Sequence, residues 1–179
     1  MAPETEPGTP QAAALEWVEA VMERRDLAAA WPLTDATLRL VLAQDWVWNH
    51  RHDLEAGSDH EWDAIGRGLA ECPSTHALWE RFAQDTVTHW QTIWKGFTPR
   101  TWSVSEAPEV LDLDWEMVTF VETGEPGAQA DAVPATVTAF TRRFAMLHTD
   151  DGWRVASING HQMFRPGWPP TLGQQAGHQ

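Results

Sequence analysis

The sequence predicts an α+β fold in which helices come first along the chain and antiparallel strands follow. Apolar residues recur at helical spacing over residues 11–95, whereas after Pro99 they alternate with polar residues, as in a half-buried strand. Residues 150–152 (DDG) then join a strand rich in Thr, Val and Phe to a second strand as a tight hairpin. The helices are therefore expected to cover one face of an antiparallel sheet.

One domain is predicted over residues 11–170, because 179 residues with an apolar share of 42% suit a single well-filled core. Residues 1–10 are acidic and Pro-rich and residues 171–179 are polar, so both are predicted to be disordered tails. The first ten residues lack the features of a signal peptide, and no apolar run reaches the length of a membrane span. A cytoplasmic protein is expected, with the lone Cys72 as a structural thiol.

The net charge of −14, with only 12 basic residues, opposes binding to polyanions. Nucleic acid and anionic membrane surfaces are therefore not expected as partners. The chain contains neither a dinucleotide-binding glycine motif nor a phosphate-binding loop, and no cofactor is predicted. The polar loop at residues 50–60 contains His and Asp, but such groupings arise by chance in an acidic loop, so no metal site is predicted.

Each predicted helix has an identifiable boundary residue. Periodicity predicts a helix from Gln11, and Asp26 is predicted to cap a short turn at Leu27–Trp31. A helix from Ala36 to about Trp48 follows, capped by Thr34 or Asp35, and then a helix capped by Asp59 that ends before Pro73. The longest helix is predicted to run from a cap at Ser74 or Thr75 to Lys95, with Gly96 just past its end.

The predicted strands follow. They are a short strand at Trp102–Ser105, a strand over residues 111–121, and, after a connection at residues 123–134, two long strands at Ala135–Thr149 and Trp153–Phe164. The final segment RPGWPP is predicted to dock Trp168 as a clasp over the sheet or a neighbouring subunit.

The order of elements and two stretches, DLAAAWPLTDATLRLVLAQDW and FAMLHTDDGWRVASINGHQ, resemble the nuclear transport factor 2-like superfamily of ketosteroid-isomerase-like and polyketide-cyclase-like proteins. The resemblance implies a cystatin-like cone, in which N-terminal helices pack in the concave face of a strongly curved antiparallel sheet. It also implies an apolar pocket and a homodimer formed through the sheet. The chain has no Tyr and so cannot supply the Tyr oxyanion donor of ketosteroid isomerases.

His161 is the first candidate catalytic residue, since an imidazole exchanges a proton near neutral pH. On the last predicted strand it shares a side with Asn159 and Met163, which mixes polar groups with apolar wall as ligand pockets do. Half-exposed histidines at the rim of a sheet give the same pattern without catalysis.

Asp45 is the second candidate, because it falls on or beside an apolar helical stripe and burial raises the pKa of a carboxyl. Alternatively, Asp45 lies at the solvent-exposed edge of this apolar stripe and has no role in a pocket. Arg142 shares a strand face with Phe144 and is predicted to meet an anionic group there, although a register slip of one residue would place Arg143 inside instead. Trp90 and Phe144 are predicted to line the pocket.

Three functions fit these observations. The first is binding of a small, largely apolar molecule in a Trp-lined pocket, without catalysis or as an accessory subunit. The second is a cofactor-independent acid/base enzyme, an isomerase, dehydratase or cyclase, in which His161 moves the proton and Asp45 or Arg142 orients or stabilises charge. The third is a dimeric interaction scaffold with a filled core.

Overall fold

A computed structural model describes residues 6–55, 57–98, 101–105, 107–123, 140–158, 160, 162 and 165–170. Within these ranges the predicted α+β class is confirmed, because helices precede an antiparallel sheet. The α-helices are α1 (Pro10–Val18), α2 (Leu27–Ala30), α3 (Ala36–His50), α4 (Asp59–Glu71) and α5 (Trp79–Ile93), and α1 continues as a π-helix over Glu19–Glu23. No helix in the described ranges is long and apolar enough to cross a membrane.

Side-chain caps explain where three of the helices begin. Asp26 caps α2 by accepting from the Ala29 amide, and Asp35 rather than Thr34 caps α3 by accepting from the Thr37 amide over 2.8 Å. The prediction that Asp59 caps the next helix is wrong. Ser58 accepts from the Glu61 amide there, while Glu61 reaches back to the Ser58 hydroxyl.

The start of α5 lies later in the chain than predicted. Residues Pro73–Thr75 form a 3-10 turn, and the helix begins at Trp79 instead of following a cap at Ser74 or Thr75. His76 Nδ1 accepts from the Leu78 amide over 3.2 Å, which satisfies a donor just before the helix. The helix ends at Ile93, two residues before the predicted end at Lys95, and the turn that follows contains Gly96 with a φ of 87° that favours glycine.

In the part of the chain that the structure describes, five strands form one antiparallel sheet: β1 (Trp102–Val104), β2 (Glu109–Asp112), β3 (Trp115–Glu122), β4 (Thr141–Thr149) and β5 (Gly152–Ser157). Strand β3 pairs with β4 along one edge, and β1 and β2 pair with opposite ends of its other edge. The prediction of a single strand over residues 111–121 is wrong, because the chain reverses at Leu113 and Asp114 and makes a hairpin of β2 and β3.

The β4–β5 hairpin is confirmed, with Thr149 opposite Gly152, whose φ of 100° suits glycine. The outer edge of β5 is met by the chain before α3, where the Asp35 amide donates to the Val155 carbonyl over 2.9 Å. Strand β5 ends at Ser157, and the first part of the predicted strand Ala135–Thr149 lies outside the described residues.

Aromatic side chains fill the core between the helices and the sheet. Trp17 packs on Phe144 and Trp90 with ring centroids 5.5 Å and 5.1 Å apart, which joins α1 to β4 and α5. Its indole Nε1 donates to Thr34 Oγ1 over 2.9 Å, and Trp31 Nε1 donates to the Ala70 carbonyl. Burying these rings costs little in lost hydrogen bonds, because each indole N–H keeps an acceptor.

The C-terminal segment docks on helices, not over the sheet as predicted. Trp168 packs against Trp48 of α3 and Trp62 of α4, and its Nε1 donates to Asp59 Oδ1 over 3.0 Å. The Gly167 amide donates to the buried side chain of Gln44. The segment therefore ties α3 to α4.

Candidate functional site

A cavity of about 540 Å³ lies between α3, α5 and the residue that follows β5. Its apolar wall is formed by Leu38, Leu42, Trp90, Ile93, Trp94 and Ile158. Its polar wall is formed by Asp45, Asn49, His50, Asp85 and His89. The cavity thus joins an extended apolar surface to a cluster of ionisable groups.

Helical periodicity explains how two helices build this lining. The residues of α3 that line the cavity are three, four or one positions apart, so they lie on a single face of the helix. The lining residues of α5 have similar spacing. The last turn of α3 meets the first half of α5 through His50 and Asp85, whose Nε2 and Oδ2 atoms are 3.5 Å apart. The polar ends of the two stripes therefore face each other.

Asp45 is the half-buried carboxyl of this site. Its Oδ2 accepts from Asn49 Nδ2 over 3.2 Å, and its Oδ1 is buried without a hydrogen-bond partner among the residues that the structure describes. Burial raises the pKa of Asp45, and the positive charge available on His89 opposes that rise. The cavity therefore contains a carboxyl whose charge is only partly compensated.

Asp85, by contrast, has several partners. Trp46 Nε1 donates to its Oδ2 over 3.1 Å, His50 Nε2 is nearby, and Arg81 Nε lies 3.8 Å from the same oxygen. His50 Nδ1 lies 2.8 Å from the Trp46 carbonyl, and since a carbonyl only accepts, Nδ1 carries the hydrogen. The His50 ring is therefore oriented by the Trp46 carbonyl on one side and lies beside Asp85 on the other.

His89 lies one helical turn after Asp85 and is exposed at the cavity. Together with Asp45 it gives the site a carboxyl and an imidazole on facing helices. Such a pair can bind a polar group of a ligand or move a proton.

Of the residues predicted from the sequence, Asp45 and Trp90 both line this cavity. Phe144 is fully buried in the core and packs against Trp94 with ring centroids 5.9 Å apart. Trp94 therefore lies in contact with the core on one side and with the cavity on another.

Arg142 does not line this cavity. Its guanidinium carbon lies 5.1 Å from the Trp94 ring centroid and 5.5 Å from that of Phe97, so it makes cation–π contacts behind the cavity wall. Burial lowers the pKa of Arg142, and its Nε has no hydrogen-bond partner among the described residues. Arg143, its neighbour, is exposed.

Three predicted residues, His161, Asn159 and Met163, lie outside the described residues. The pairing of His161 with Asp45 therefore stays a prediction. The described ranges contain no group of three or more His, Cys, Asp or Glu side chains placed to hold a metal ion.

Sequence reasoning missed His89, Asp85 and Asn49, and it placed His50 in a loop although it ends α3. A signal for two of them was present. Asp85 and His89 are four residues apart beside the apolar stripe of α5, so they extend that stripe with ionisable groups.

Comparison of the chain with protein-family models, curated proteins and solved structures gives no match.

Proposed function

We propose that this protein binds a small, largely apolar molecule in the cavity between α3 and α5. The observation that carries the proposal is the cavity itself. Its volume of about 540 Å³ falls within the range of small-molecule sites, about 300–1,000 Å³. Its lining combines a continuous apolar wall with a few converging polar groups, which is the usual composition of such sites.

Substitutions that fill the cavity test this proposal. Leu42→Phe and Ile93→Phe add volume from facing helices, and we expect each to weaken binding of cyclohexylmethanol, indole or cyclohexanone about tenfold or more, because a bulkier wall excludes the ligand. Isothermal titration calorimetry on the intact chain measures the change.

Val110→Phe is the matched control, since Val110 is 71% exposed on β2 and does not line the cavity. We expect this variant to bind as the wild type does. Binding of none of the three molecules by the wild type, or equal binding by the Leu42 and Val110 variants, would contradict the proposal.

Acid/base catalysis is a second candidate, and the raised pKa of Asp45 favours it. In that case Asp45 exchanges a proton with the bound molecule and His89, across the cavity, stabilises the carboxylate that results. Turnover of a bound molecule that is lost in Asp45→Asn, with binding retained, supports catalysis. Turnover that survives the substitution removes Asp45 from the chemistry.

The cone shape, the homodimer through the sheet and the cytoplasmic location stay predictions of the sequence. An open cavity favours ligand binding over the third function, a scaffold with a filled core.

A further inference from the structure

The charges around the cavity are unevenly distributed. Two carboxyls, Asp45 and Asp85, line it, and no Lys or Arg is among its described lining residues. The only other ionisable side chains in that lining are His50 and His89. An acidic chain with a net charge of −14 adds a negative potential around the site. The cavity therefore favours a cationic group over an anionic one.

The two carboxyls differ in how far their charge is already compensated. Asp85 has Trp46, His50 and the partly exposed Arg81 as partners. Asp45 receives one hydrogen bond, from Asn49, and its buried Oδ1 has no partner in the described part of the chain. Asp45 is thus the lining carboxylate whose charge is less compensated by its neighbours.

The surroundings of Asp45 define the shape of that ligand. On α3, Leu42 and Leu38 lie one and two turns before Asp45, and Ile93 and Trp94 extend the apolar surface at the end of α5. A ligand that fills the cavity has to cover this apolar wall and also meet the Asp45 carboxylate. An apolar body that ends in a charged hydrogen-bond donor satisfies both requirements.

We propose that the cavity selects small apolar amines, whose ammonium group pairs with the Asp45 carboxylate while the hydrocarbon body covers the wall formed by Leu42, Ile93 and Ile158. This inference rests on the proposed function, since it names the class of molecule that the same cavity binds. A protonated Asp45 would instead donate to a neutral carbonyl or hydroxyl, and the experiment separates the two.

The selectivity depends on pH through every titratable group that faces Asp45. Asp45 has to be ionised to bind an ammonium group, and burial raises its pKa, so amine binding is lost on acidification at a higher pH than for an exposed Asp. Acidification also adds positive charge to the histidines of the lining, His50 and His89, and removes negative charge from Asp85, and both changes weaken the binding of a cation. Arg142 of β4 lies beyond the Trp94 ring. The decisive comparison is therefore made at about pH 8, where histidines are mostly neutral.

The experiment compares cyclohexylmethylamine with cyclohexylmethanol, which have the same hydrocarbon body and differ in the charged group. Calorimetric titration of the wild type is expected to give an amine affinity at least about tenfold above that of the alcohol, because a charged hydrogen bond is stronger than a neutral one. Asp45→Asn removes the charge but keeps the shape, and it is expected to abolish the preference. Asp150→Asn removes one charge from the exposed β4–β5 turn and is expected to keep it.

The outcomes separate this inference from the proposed function. Equal or tighter binding of the alcohol by the wild type overturns the amine inference and leaves the ligand-binding function standing. Binding of neither molecule overturns both. A preference that persists in Asp45→Asn overturns the role of Asp45. The comparison of amine and alcohol on the wild type needs no variant, so it decides between the two ligand classes even if Asp45→Asn does not fold.

Discussion

Asp45 is a half-buried carboxyl on an otherwise mostly apolar stretch of α3, where it lines the cavity. A carboxylate in that position loses hydrogen bonds to water, and the hydrogen bond from Asn49 replaces only part of them. Such a group lowers the stability of the folded chain while it is charged. A ligand that bonds to this carboxylate would compensate its charge and so offset the lost stability.

The first stability prediction follows from the raised pKa of Asp45. Between the ordinary pKa of an Asp, about 3.9, and the raised value, the folded state binds more protons than the unfolded state. The contribution of Asp45 to stability therefore falls as pH rises through this window, and the cost is complete above it. We expect Asp45→Asn to be more stable than the wild type at about pH 7, by up to about 1 kcal/mol after allowance for solvent screening.

Urea unfolding of both proteins over a range of pH measures this difference. The advantage of Asp45→Asn is expected to disappear below the ordinary Asp pKa, where both states of the wild type are protonated. Asp150→Asn controls for the loss of one negative charge from an acidic protein, because Asp150 is exposed. An advantage that is equal in both variants, or that grows on acidification, would show that burial of Asp45 has no such cost.

At the residue scale, the sequence predicted Asp45 and Trp90 at the cavity but not His89 or Asp85. Asp45 was recognisable because a charged residue interrupts an apolar stripe, which is unusual unless the group has a role. Asp85 and His89 give a weaker signal, because they lie on the polar side next to the α5 stripe, where charged residues are the ordinary case. Only the approach of α3 turns that polar side into a cavity wall.

At the element scale, α3 and α4 approach each other closely at Gly66. A Cβ atom at this position would lie 3.2 Å from Gln44 Cγ and 3.3 Å from Gln44 Cα. The Gln44 side chain is held at both ends, since its Nε2 donates to Asp63 Oδ1 over 2.6 Å and its Oε1 accepts from the Gly167 backbone amide over 3.0 Å. The backbone of α3 therefore cannot move away without breaking these bonds.

We expect Gly66→Ala to destabilise the protein by about 1–2 kcal/mol, because overpacking against the α3 backbone outweighs the higher helix propensity of alanine. Gly57→Ala, just before the same helix, is the control, because a Cβ atom there would meet no atom within 4 Å. Thermal unfolding that finds Gly66→Ala as stable as, or more stable than, Gly57→Ala would contradict the tight contact.

Local chemistry explains which elements the sequence predicted correctly. Asp35, Gly96 and Gly152 act within one turn of the chain, so their roles follow from neighbouring residues. The β2–β3 hairpin was missed because alternation continues across it from one strand into the next. The turn residue Leu113, 97% exposed, resembles a buried strand position in the sequence although its amide donates to Asp112 in a turn.

At the scale of the whole molecule, the α+β class follows from the order of helical and strand periodicity along the chain, and the structure agrees. The cavity did not follow in the same way. Its existence depends on how far α3 and α5 separate above the aromatic core, which is a property of packing between distant segments. Periodicity identifies the buried face of each helix but not the space left between two faces.

The central claim is that a small apolar molecule binds between α3 and α5, and isoleucine methyl NMR tests it most directly. The chain has three isoleucines. Ile93 and Ile158 line the cavity, and Ile65 lies on α4 outside it. On titration with cyclohexylmethanol or cyclohexylmethylamine, the Ile93 and Ile158 methyl signals are predicted to shift while the Ile65 signal stays in place. Unchanged Ile93 and Ile158 signals, or an equal shift at all three, would contradict the claim.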